Sequence, residues 1–438
     1  MKKLSLIVAL IVCVNANENL SDALINGNFR GEIKAWYWDR TQEANPYNNE
    51  NITNFGLELG YKTGSFYDFY FGTTAQMSFA PISDKNAKDM FDIEQNTKGV
   101  VFSELYLGYN LSKTDIKIGR QFINTPLVAG NYARFFKESF QGATIKSSDL
   151  SDTTLFAGYI DRFQGRTSSV MGDSSGSEPI FRKRVTIGGL IAKSYEFDGA
   201  AYVGFSNKSI DNVTLTTQYV FANNVKIPLP NIGNKNGDIH MYFGESSYVI
   251  PFDNFDFKVD ISIAGSEVEG SLNDGNLDGK MFGAKAGIYK LKGFDLYSAF
   301  HSVLTDNDSM LYGLGLGANT YTAVLIRGPY ASFIAGMDTY KFGINYNFDN
   351  IGINGLNVDT SYFFSNHDAP VKNTGIIPAN MKWEYSGYNV TINYNLKQAK
   401  GFATQVVWTS IEDEKTFANG KKLDTDFDEL WLKLSYKF

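Results

Sequence analysis

The 438-residue sequence contains a single cysteine, Cys13, which lies in the apolar N-terminal segment. The rest of the chain therefore offers no disulfide and no thiolate site. Acidic residues outnumber basic ones and the net charge is −7, so the chain lacks the basic surface that nucleic-acid binding requires. After Val14, no apolar run approaches the roughly 18–20 residues of a membrane-spanning helix. These absences exclude a helical membrane protein and make nucleic acid an unfavourable partner.

The N-terminal segment has the pattern of an export signal. Two lysines precede an apolar run that ends at Val14, and Ala16 provides a small residue at the cleavage site. We predict that residues 1–16 form a cleaved signal peptide and that residues 17–438 form one domain. Cleavage would remove Cys13 and would change the net charge from −7 to −9, because two lysines are the only charged residues of this segment.

The C-terminal segment, residues 427–438, alternates between apolar and polar side chains. The apolar set is Leu430, Leu432, Leu434, Tyr436 and Phe438, and the other set is Glu429, Trp431, Lys433, Ser435 and Lys437. A period of two is typical of a strand with one apolar and one polar face. The aromatic last residue resembles the assembly signal of bacterial outer-membrane barrels. A strand of this kind would close a barrel against the first strand, which leaves no unpaired edge in lipid.

Segments with the same alternation recur along the chain, and the connections between them are alternately long and short. The pattern predicts an all-β fold, a transmembrane antiparallel β-barrel of about 18 strands with short periplasmic turns and long extracellular loops; 16 strands would also fit. Aromatic residues make up 15% of the chain, as expected for a barrel with a lipid-facing surface. The least certain region is 163–205, where residues 185–191 form either a strand or part of a loop.

The connection after the fifth strand, residues 122–141, is too apolar for a solvated loop. It also carries Tyr132 and the charged side chains Arg134, Lys137 and Glu138. We predict that this third loop folds into the barrel and that these four residues form a pore constriction. The alternative is an external loop that packs on its neighbours.

The segment 115–142 (DIKIGRQFINTPLVAGNYARFFKESFQG) resembles the third-loop region of the OprD-type substrate-specific porins. Shorter segments at 34–40, 193–202, 248–252 and 321–335 extend the resemblance over most of the chain. It implies an eighteen-stranded barrel that passes small carboxylate-bearing solutes such as amino acids, peptides or organic acids. The expected location is the outer membrane of a Gram-negative bacterium, with lipid, small hydrophilic solutes and the barrel-assembly machinery as partners. The sequence leaves a monomer and a homotrimer open.

Members of this family guide carboxylates along basic residues of the lumen wall. The corresponding basic column here would consist of Arg30, Lys34, Arg40, Lys433 and Lys437. We predict that Lys437 lies beside Arg30 near the periplasmic end of the seam between the last and first strands. One rung higher, Lys433 would lie beside Lys34, and Arg134 would extend the column upward. The alternative is an ordinary solvated wall, since Glu32 and Glu429 would cancel part of the field.

The sequence departs from the family pattern at three lumen positions. Ala403 and Gln405 stand on strand 17 where the family carries two arginines, and Ser361 stands where strand 15 would offer another basic residue. The family's preference for basic amino acids is therefore not carried over.

Other motifs are weak. The three histidines, His240, His301 and His367, are scattered and lack a serine or aspartate motif, so the sequence predicts no enzyme, no catalytic residue, no metal and no cofactor. Asp274, Asn276, Asp278 and Gly279 match the start of a calcium loop, but Lys285 replaces the bidentate glutamate, and a solvated external loop is favoured over a cation site. Gly313, Gly315 and Gly317 are predicted to mark a flexible loop.

The sequence therefore predicts a passive channel with partly charge-selected uptake. Two alternatives remain open, a non-selective general porin and a structural or adhesive barrel with a filled lumen.

Overall fold

The computed structural model describes residues 19–43, 49–230, 232–327 and 332–438. The predicted signal peptide, residues 1–16, lies outside the described residues and stays a prediction. Within the described ranges, no helix is both long enough and apolar enough to cross a membrane.

The described residues form eighteen long antiparallel strands that close into a barrel, as predicted. The strands are β1 (Asn28–Gln42), β2 (Asn49–Lys62), β3 (Phe69–Ile82), β4 (Gly99–Leu111), β5 (Thr114–Gln121), β6 (Ser139–Ser147), β7 (Thr153–Gln164), β8 (Gly199–Asn207), β9 (Val213–Leu229), β10 (Gly233–Pro251), β11 (Asp256–Val268), β12 (Lys280–Leu291), β13 (Phe294–Val303), β14 (Met337–Asn347), β15 (Leu356–His367), β16 (Lys382–Asn395), β17 (Phe402–Thr416) and β18 (Phe427–Lys437). Each strand pairs with its neighbours in sequence, and β18 pairs with β1.

Short and long connections alternate around the barrel. The turns 112–113 and 292–293 are the tightest at one end, whereas 165–198 and 304–336 are the longest at the other. Two short helices lie outside the wall strands, α1 (Leu20–Ile25) before β1 and α2 (Lys85–Met90) between β3 and β4. Two short 3₁₀ helices, Gly270–Gly275 and Phe348–Ile351, and a short strand, Lys422–Asp424, lie in other connections.

The uncertain region 163–205 contains a hairpin within a long connection. Its two short strands, Arg184–Thr186 and Ser194–Glu196, pair with each other, and the second is bridged to β9. The wall strand in this region is β8, which begins only at Gly199. The hairpin therefore extends the barrel wall at the long-loop end of β8, which is a short strand.

The alternation of side chains places apolar residues outside and polar or aromatic residues inside. Outward residues such as Ile33 and Phe342 are exposed on the outer face, where lipid would cover them, whereas Trp38 and Trp431 are completely buried on the lumen side. The interior contains two apolar clusters, one around Val128 and the other around the two buried tryptophans. The lumen is thus partly filled.

The register of the closing seam differs from the predicted one. Lys437 lies opposite Glu32 and Lys433 lies opposite Trp36, so both predicted pairings, with Arg30 and with Lys34, were wrong by two residues. A shift of two residues keeps every side chain on its face, so alternation alone cannot detect it.

Phe438 and Gly31 explain this register. Their backbones exchange two hydrogen bonds, with N···O distances of 2.9 and 3.0 Å. The ring of Phe438 also occupies the space above Gly31, where a Cβ atom would come within 2.2 Å of it. In the predicted register Phe438 would have faced Phe29, whose side chain would fill that space. The glycine therefore fixes the position of the chain end.

Deleting Phe438 should sharply lower the amount of folded barrel in the membrane fraction. The deletion removes both hydrogen bonds to Gly31 and the ring contact with Phe29, whose centroid lies 6.1 Å away. The assay is the difference in gel mobility between heated and unheated membrane protein. Phe438→Tyr keeps the ring and the backbone and serves as the control. Equal amounts of folded barrel from the deletion and the control would contradict the prediction.

Candidate pore constriction

The segment 122–138, here called the inward loop, packs against side chains on the lumen side of the wall. The rings of Phe135 and Trp36 meet edge to face with centroids 5.3 Å apart. The N–H of Lys137 donates to Gln76 Oε1 at 2.8 Å, and the Gln76 amide donates to the Lys137 carbonyl at 3.0 Å. On the other side, the N–H of Leu127 donates to Gln218 of β9. Contacts with β1, β3 and β9 together place the loop inside the barrel.

A second segment, residues 304–327, accompanies the inward loop. The N–H of Ala129 donates to the Leu314 carbonyl at 3.0 Å, and the N–H of Leu314 donates to the Leu127 carbonyl at 2.7 Å. Sequence analysis placed no part of this segment in the lumen. Two connections rather than one therefore lie in the lumen.

Glycines make this backbone contact possible. Gly313 and Gly315 have positive φ values of 78° and 82°, and a Cβ atom on Gly315 would lie 2.2 Å from the Ala129 carbonyl oxygen. A Cβ atom on Gly317 would likewise lie 2.3 Å from the Gly130 carbonyl oxygen. These glycines lie in a loop, as predicted, and they allow close approach of two backbones.

Glu138 links the two segments. Its side chain is fully buried, and its Oε2 accepts hydrogen bonds of 2.9 Å from the N–H groups of Asn131 and Leu316. Burial raises the pKa of Glu138, although the charge of Arg166 and the two backbone donors act in the opposite direction. Glu138 thus acts as an internal acceptor at the junction and does not face a solute.

Arg134 joins the inward loop to two other connections. Its Nε lies 2.6 Å from Glu94 Oε2, and Arg166 Nη2 lies 3.2 Å from Glu94 Oε1. Burial alone would raise the pKa of Glu94, but the two guanidinium groups outweigh it and hold the pKa well below its usual value. The Arg134 guanidinium also stacks 4.6 Å from the ring centre of Trp431. Connections 83–98, 122–138 and 165–198 therefore meet at one carboxylate.

Lys137 and Lys34 share a carboxylate on β2. The two ammonium groups lie 2.8 and 3.2 Å from Glu58 Oε2, and each lies 3.9 Å from Glu32 Oε2. Lys34 Nζ also donates to the carbonyl of Phe135 at 3.4 Å. Two bases and two acids thus attach the loop to β1 and β2 with little net charge.

Lys433 and Arg40 lie nearer the long-loop end of the barrel than these two lysines and two glutamates. Lys433 Nζ donates to the Ala133 carbonyl at 2.8 Å and lies about 4 Å from the ring centres of Trp36 and Trp431. Arg40 Nε pairs with Glu429 at 2.7 Å. Both cations are buried and both are committed to partners within the protein.

The predicted basic column is therefore divided by the inward loop. Lys34, Arg40 and Lys433 are buried, whereas Arg30 and Lys437 remain exposed at the short-turn end of the barrel. Arg30 pairs there with Glu104 at 2.7 Å.

Tyr132 lies in the inward loop but bonds within it. Its hydroxyl donates to the Ile123 carbonyl at 3.1 Å, and its ring packs edge to face on Phe122. All four residues predicted for the constriction thus belong to the inward loop, and each is engaged by protein partners.

The opposite wall carries basic side chains that sequence analysis did not assign to the lumen. Lys285 of β12 points inward and stacks 4.6 Å from the ring centre of Tyr297. Lys341 of β14 donates to the Ala323 carbonyl at 2.7 Å, and Lys258 of β11 pairs with Asp260 at 2.9 Å. The alternation of polar and apolar residues along these strands could have identified the three lysines as inward, because each follows or precedes an outward apolar residue.

The partial calcium motif does not gather its oxygens. Asp274 pairs with Lys235, Asn276 donates to the Asn373 carbonyl, and Asp278 accepts the N–H of Val268. Within the described residues, no cluster of three or more histidine, cysteine, aspartate or glutamate side chains could hold a metal. The loop is held by these separate contacts.

The three positions that depart from the family pattern lie on the lumen face of β15 and β17. Ser361 is buried, and Gln405 donates to Asn393 at 2.8 Å. Ala403 of β17 lies opposite Ser435 of β18. These three positions are therefore uncharged, although Lys433 lies opposite Gln405 and Asp359 stands two residues from Ser361.

A closed antiparallel barrel with an apolar outer face, a charged interior and two segments inside the lumen defines a porin, a channel of the outer membrane. The sequence matches the family described as outer membrane porin, OprD family, over residues 104–438, and the chain belongs to that family. Porins of this family are channels of Gram-negative outer membranes, so the short turns lie at the periplasmic end and the long loops outside.

Solved structures share the fold. OccK11 (OpdR) of Pseudomonas aeruginosa is 17% identical, with a TM-score of 0.70 over 95% of this chain and 97% of that one. OccAB2 of Acinetobacter baumannii is 17% identical, with a TM-score of 0.73 over 95% and 99% of the chains. OpdK of Pseudomonas aeruginosa, solved with vanillate, is 13% identical, with a TM-score of 0.73 over 95% and 99%. A comparison with curated protein sequences found no significant match.

Proposed function

We propose that this porin is a passive diffusion channel that favours small hydrophilic solutes bearing a carboxylate. The inward loop and residues 304–327 narrow its lumen. The observation that carries the proposal is Lys285, an inward ammonium on β12 with no carboxylate within ion-pair distance among the described residues. Of the seam bases, Arg30, Lys34 and Arg40 pair with carboxylates. Lys433 is buried against the Ala133 carbonyl, and Lys437 is exposed at the periplasmic end.

Lys285 has surroundings suited to brief binding. Its ammonium lies between the rings of Tyr297 and Tyr289, at 4.6 and 5.9 Å from their centres. Asp260 and Asp359 lie on the same wall and limit the positive potential. A channel needs sites that bind a solute well enough to admit it and weakly enough to release it. One partly shielded ammonium meets this requirement.

The similarity to OpdK supports the carboxylate proposal only in a general way. OpdK was solved with vanillate, an aromatic carboxylate, and its fold is shared at 13% identity. We therefore propose a carboxylate as the class of solute for this porin, and we do not propose vanillate itself.

Replacing Lys285 with glutamine should shift the reversal potential in a KCl gradient toward cation selectivity, because the net charge of −7 favours cations once this ammonium is lost. Block by benzoate should weaken by about threefold to tenfold, the effect of roughly 1 kcal/mol from one screened charge pair. Benzamide has the same ring without the charge, and its weak block should not change. The measurement is single-channel current in a planar bilayer.

Lys422→Gln is the matched control, because this lysine is exposed outside the lumen and pairs with Glu414. The alternative is a non-selective general porin, and it is favoured by the ion pairs of the seam, in which carboxylates neutralise basic side chains. It would replace the proposal if Lys285→Gln and wild type showed the same selectivity and the same benzoate block.

Assembly remains part of the proposal. We expect insertion by the barrel-assembly machinery after export, and the oligomeric state, monomer or homotrimer, is to be measured by native mass spectrometry of the purified barrel.

A further inference from the structure

A row of basic side chains crosses the outer face of the barrel at the long-loop end. Strand pairing defines the first part of the row: Arg120 lies opposite Leu105 on β4 and opposite Gln141 on β6. Gln141 in turn lies opposite Arg162 of β7. Leu105 is exposed on the lipid-facing side, and directly paired residues share a face of the sheet. Arg120 and Arg162 therefore point outward.

The row continues through the hairpin that extends the wall above β8. Arg184 lies opposite Glu196, and Glu196 lies opposite Lys226 of β9. The next residues on these strands, Val185 and Ile227, are buried on the lumen side. Arg184, Glu196 and Lys226 consequently face outward, at the same height as the first part of the row.

These side chains border a pocket with a volume of about 590 Å³. Five of its lining residues are basic, namely Arg162, Arg182, Lys183, Arg184 and Lys226. Asp198 also lines the pocket, and Arg182 pairs with Asp173. Arg162 lies 3.9 Å from Asp161. These acids match only part of the positive charge. Glu196 is shared by Arg184 and Lys226 at 3.3 and 3.2 Å. In the described part of the chain, no carboxylate lies within ion-pair distance of Lys183 or of the adjacent Arg120.

An apolar belt lies directly below the pocket on the same strands. Ile118 of β5, Tyr159 of β7 and Tyr219 of β9 are exposed on the outer face. Aromatic side chains at this position are typical of the boundary between hydrocarbon and head groups. The basic row begins where the apolar belt ends, which places the pocket at the level of the head groups of the outer leaflet.

We propose that this pocket binds the phosphate groups of a phosphorylated glycolipid in the outer leaflet. Guanidinium and ammonium groups form strong charge-assisted hydrogen bonds with phosphate, and each base near a membrane surface contributes about 1 kcal/mol. On the opposite side of the rim the bases are matched by acids, because Lys382 pairs with Glu384 and Lys422 pairs with Glu414. The glycolipid would thus attach to the sector from β5 to β9.

The test compares two lipids on the purified full-length barrel in detergent. The probes are bisphosphorylated lipid A and the same lipid with both phosphates removed, and bound lipid is counted by native mass spectrometry. We expect wild type to prefer the phosphorylated form by about tenfold or more. The variant Arg120→Gln, Arg162→Gln, Lys226→Gln should lose most of this preference. A control with Lys382→Gln and Lys422→Gln, on the opposite side of the rim, should keep it.

Three results would overturn the proposal. The first is equal binding of both lipids by wild type, and the second is an unchanged preference in a triple variant that keeps heat-modifiable mobility. The third is displacement of the lipid by inorganic phosphate at the same free concentration, which would identify a site for a free anion. A salt titration of wild type gives an independent test that needs no variant. The preference should fall as salt screens the charges, and a preference that does not change with salt also contradicts the proposal.

Discussion

Replacing Glu94 with glutamine is expected to detach the inward loop from its neighbours while leaving the barrel wall folded. Glu94 is the shared partner of Arg134 and Arg166, whose side chains are only 5% and 4% exposed. Loss of its charge leaves two buried cations facing each other. Breaking a buried ion pair on one side costs about 3–5 kcal/mol. The expected results are faster proteolysis of the segment 122–138 and larger fluctuations of the open-channel current.

The control for this variant is Glu269→Gln, because Glu269 is exposed in another long connection and pairs only with His240. The double variant Glu94→Gln, Arg166→Gln also removes one of the two cations. It should recover part of the protection from proteolysis, because the repulsion between the two guanidinium groups is lost. Proteolysis of the Glu94 variant at the wild-type rate would show that the ion pairs do not hold the loop.

The pH dependence of this site follows from the lowered pKa of Glu94. A carboxyl group with a lowered folded-state pKa adds stability above its unfolded pKa, about 4.3, and loses it only as the pH falls through the folded value. Wild type at pH 5 should therefore keep the loop as well protected as at pH 7. The charged groups that face Glu94 are Arg134, Arg166 and Arg40. The same proteolysis assay at both pH values provides the measurement.

Alternation in the sequence was sufficient to assign the faces of the wall. Trp431 and Lys433 were predicted to face inward and Leu432 outward, and the buried and exposed side chains follow this division. The physical reason is that each strand meets lipid on one side and the lumen on the other, so the period of two is enforced at every residue. The number of strands followed from the same signal.

Register and interior contacts could not be predicted in this way. A shift of two residues at the seam preserves alternation, and the feature that fixes it is the space that Gly31 leaves for the ring of Phe438. The pairing of Glu94 with Arg134 joins two connections that no local pattern relates. The contact between Ala129 and Leu314 is likewise made by the backbone, which carries no sequence signal apart from its glycines. For this reason a column of free bases was predicted where Arg30, Lys34 and Arg40 are paired with carboxylates.

Replacing residues 126–136 with a short glycine–serine linker should raise single-channel conductance by roughly two- to fivefold, as expected when a constriction limits flow. The replacement removes Phe135 and Phe136, which are buried against the lumen wall, together with the Arg134 link to Glu94. The wall strands keep their own hydrogen bonds, so heat-modifiable mobility should persist. The same linker in the external connection 417–426 is the control and should leave conductance unchanged. Because residues 304–327 would remain in the lumen, the increase should stop short of that of an empty barrel. A conductance equal to wild type in a folded variant would mean that this second segment, and not the inward loop, sets the diameter of the pore.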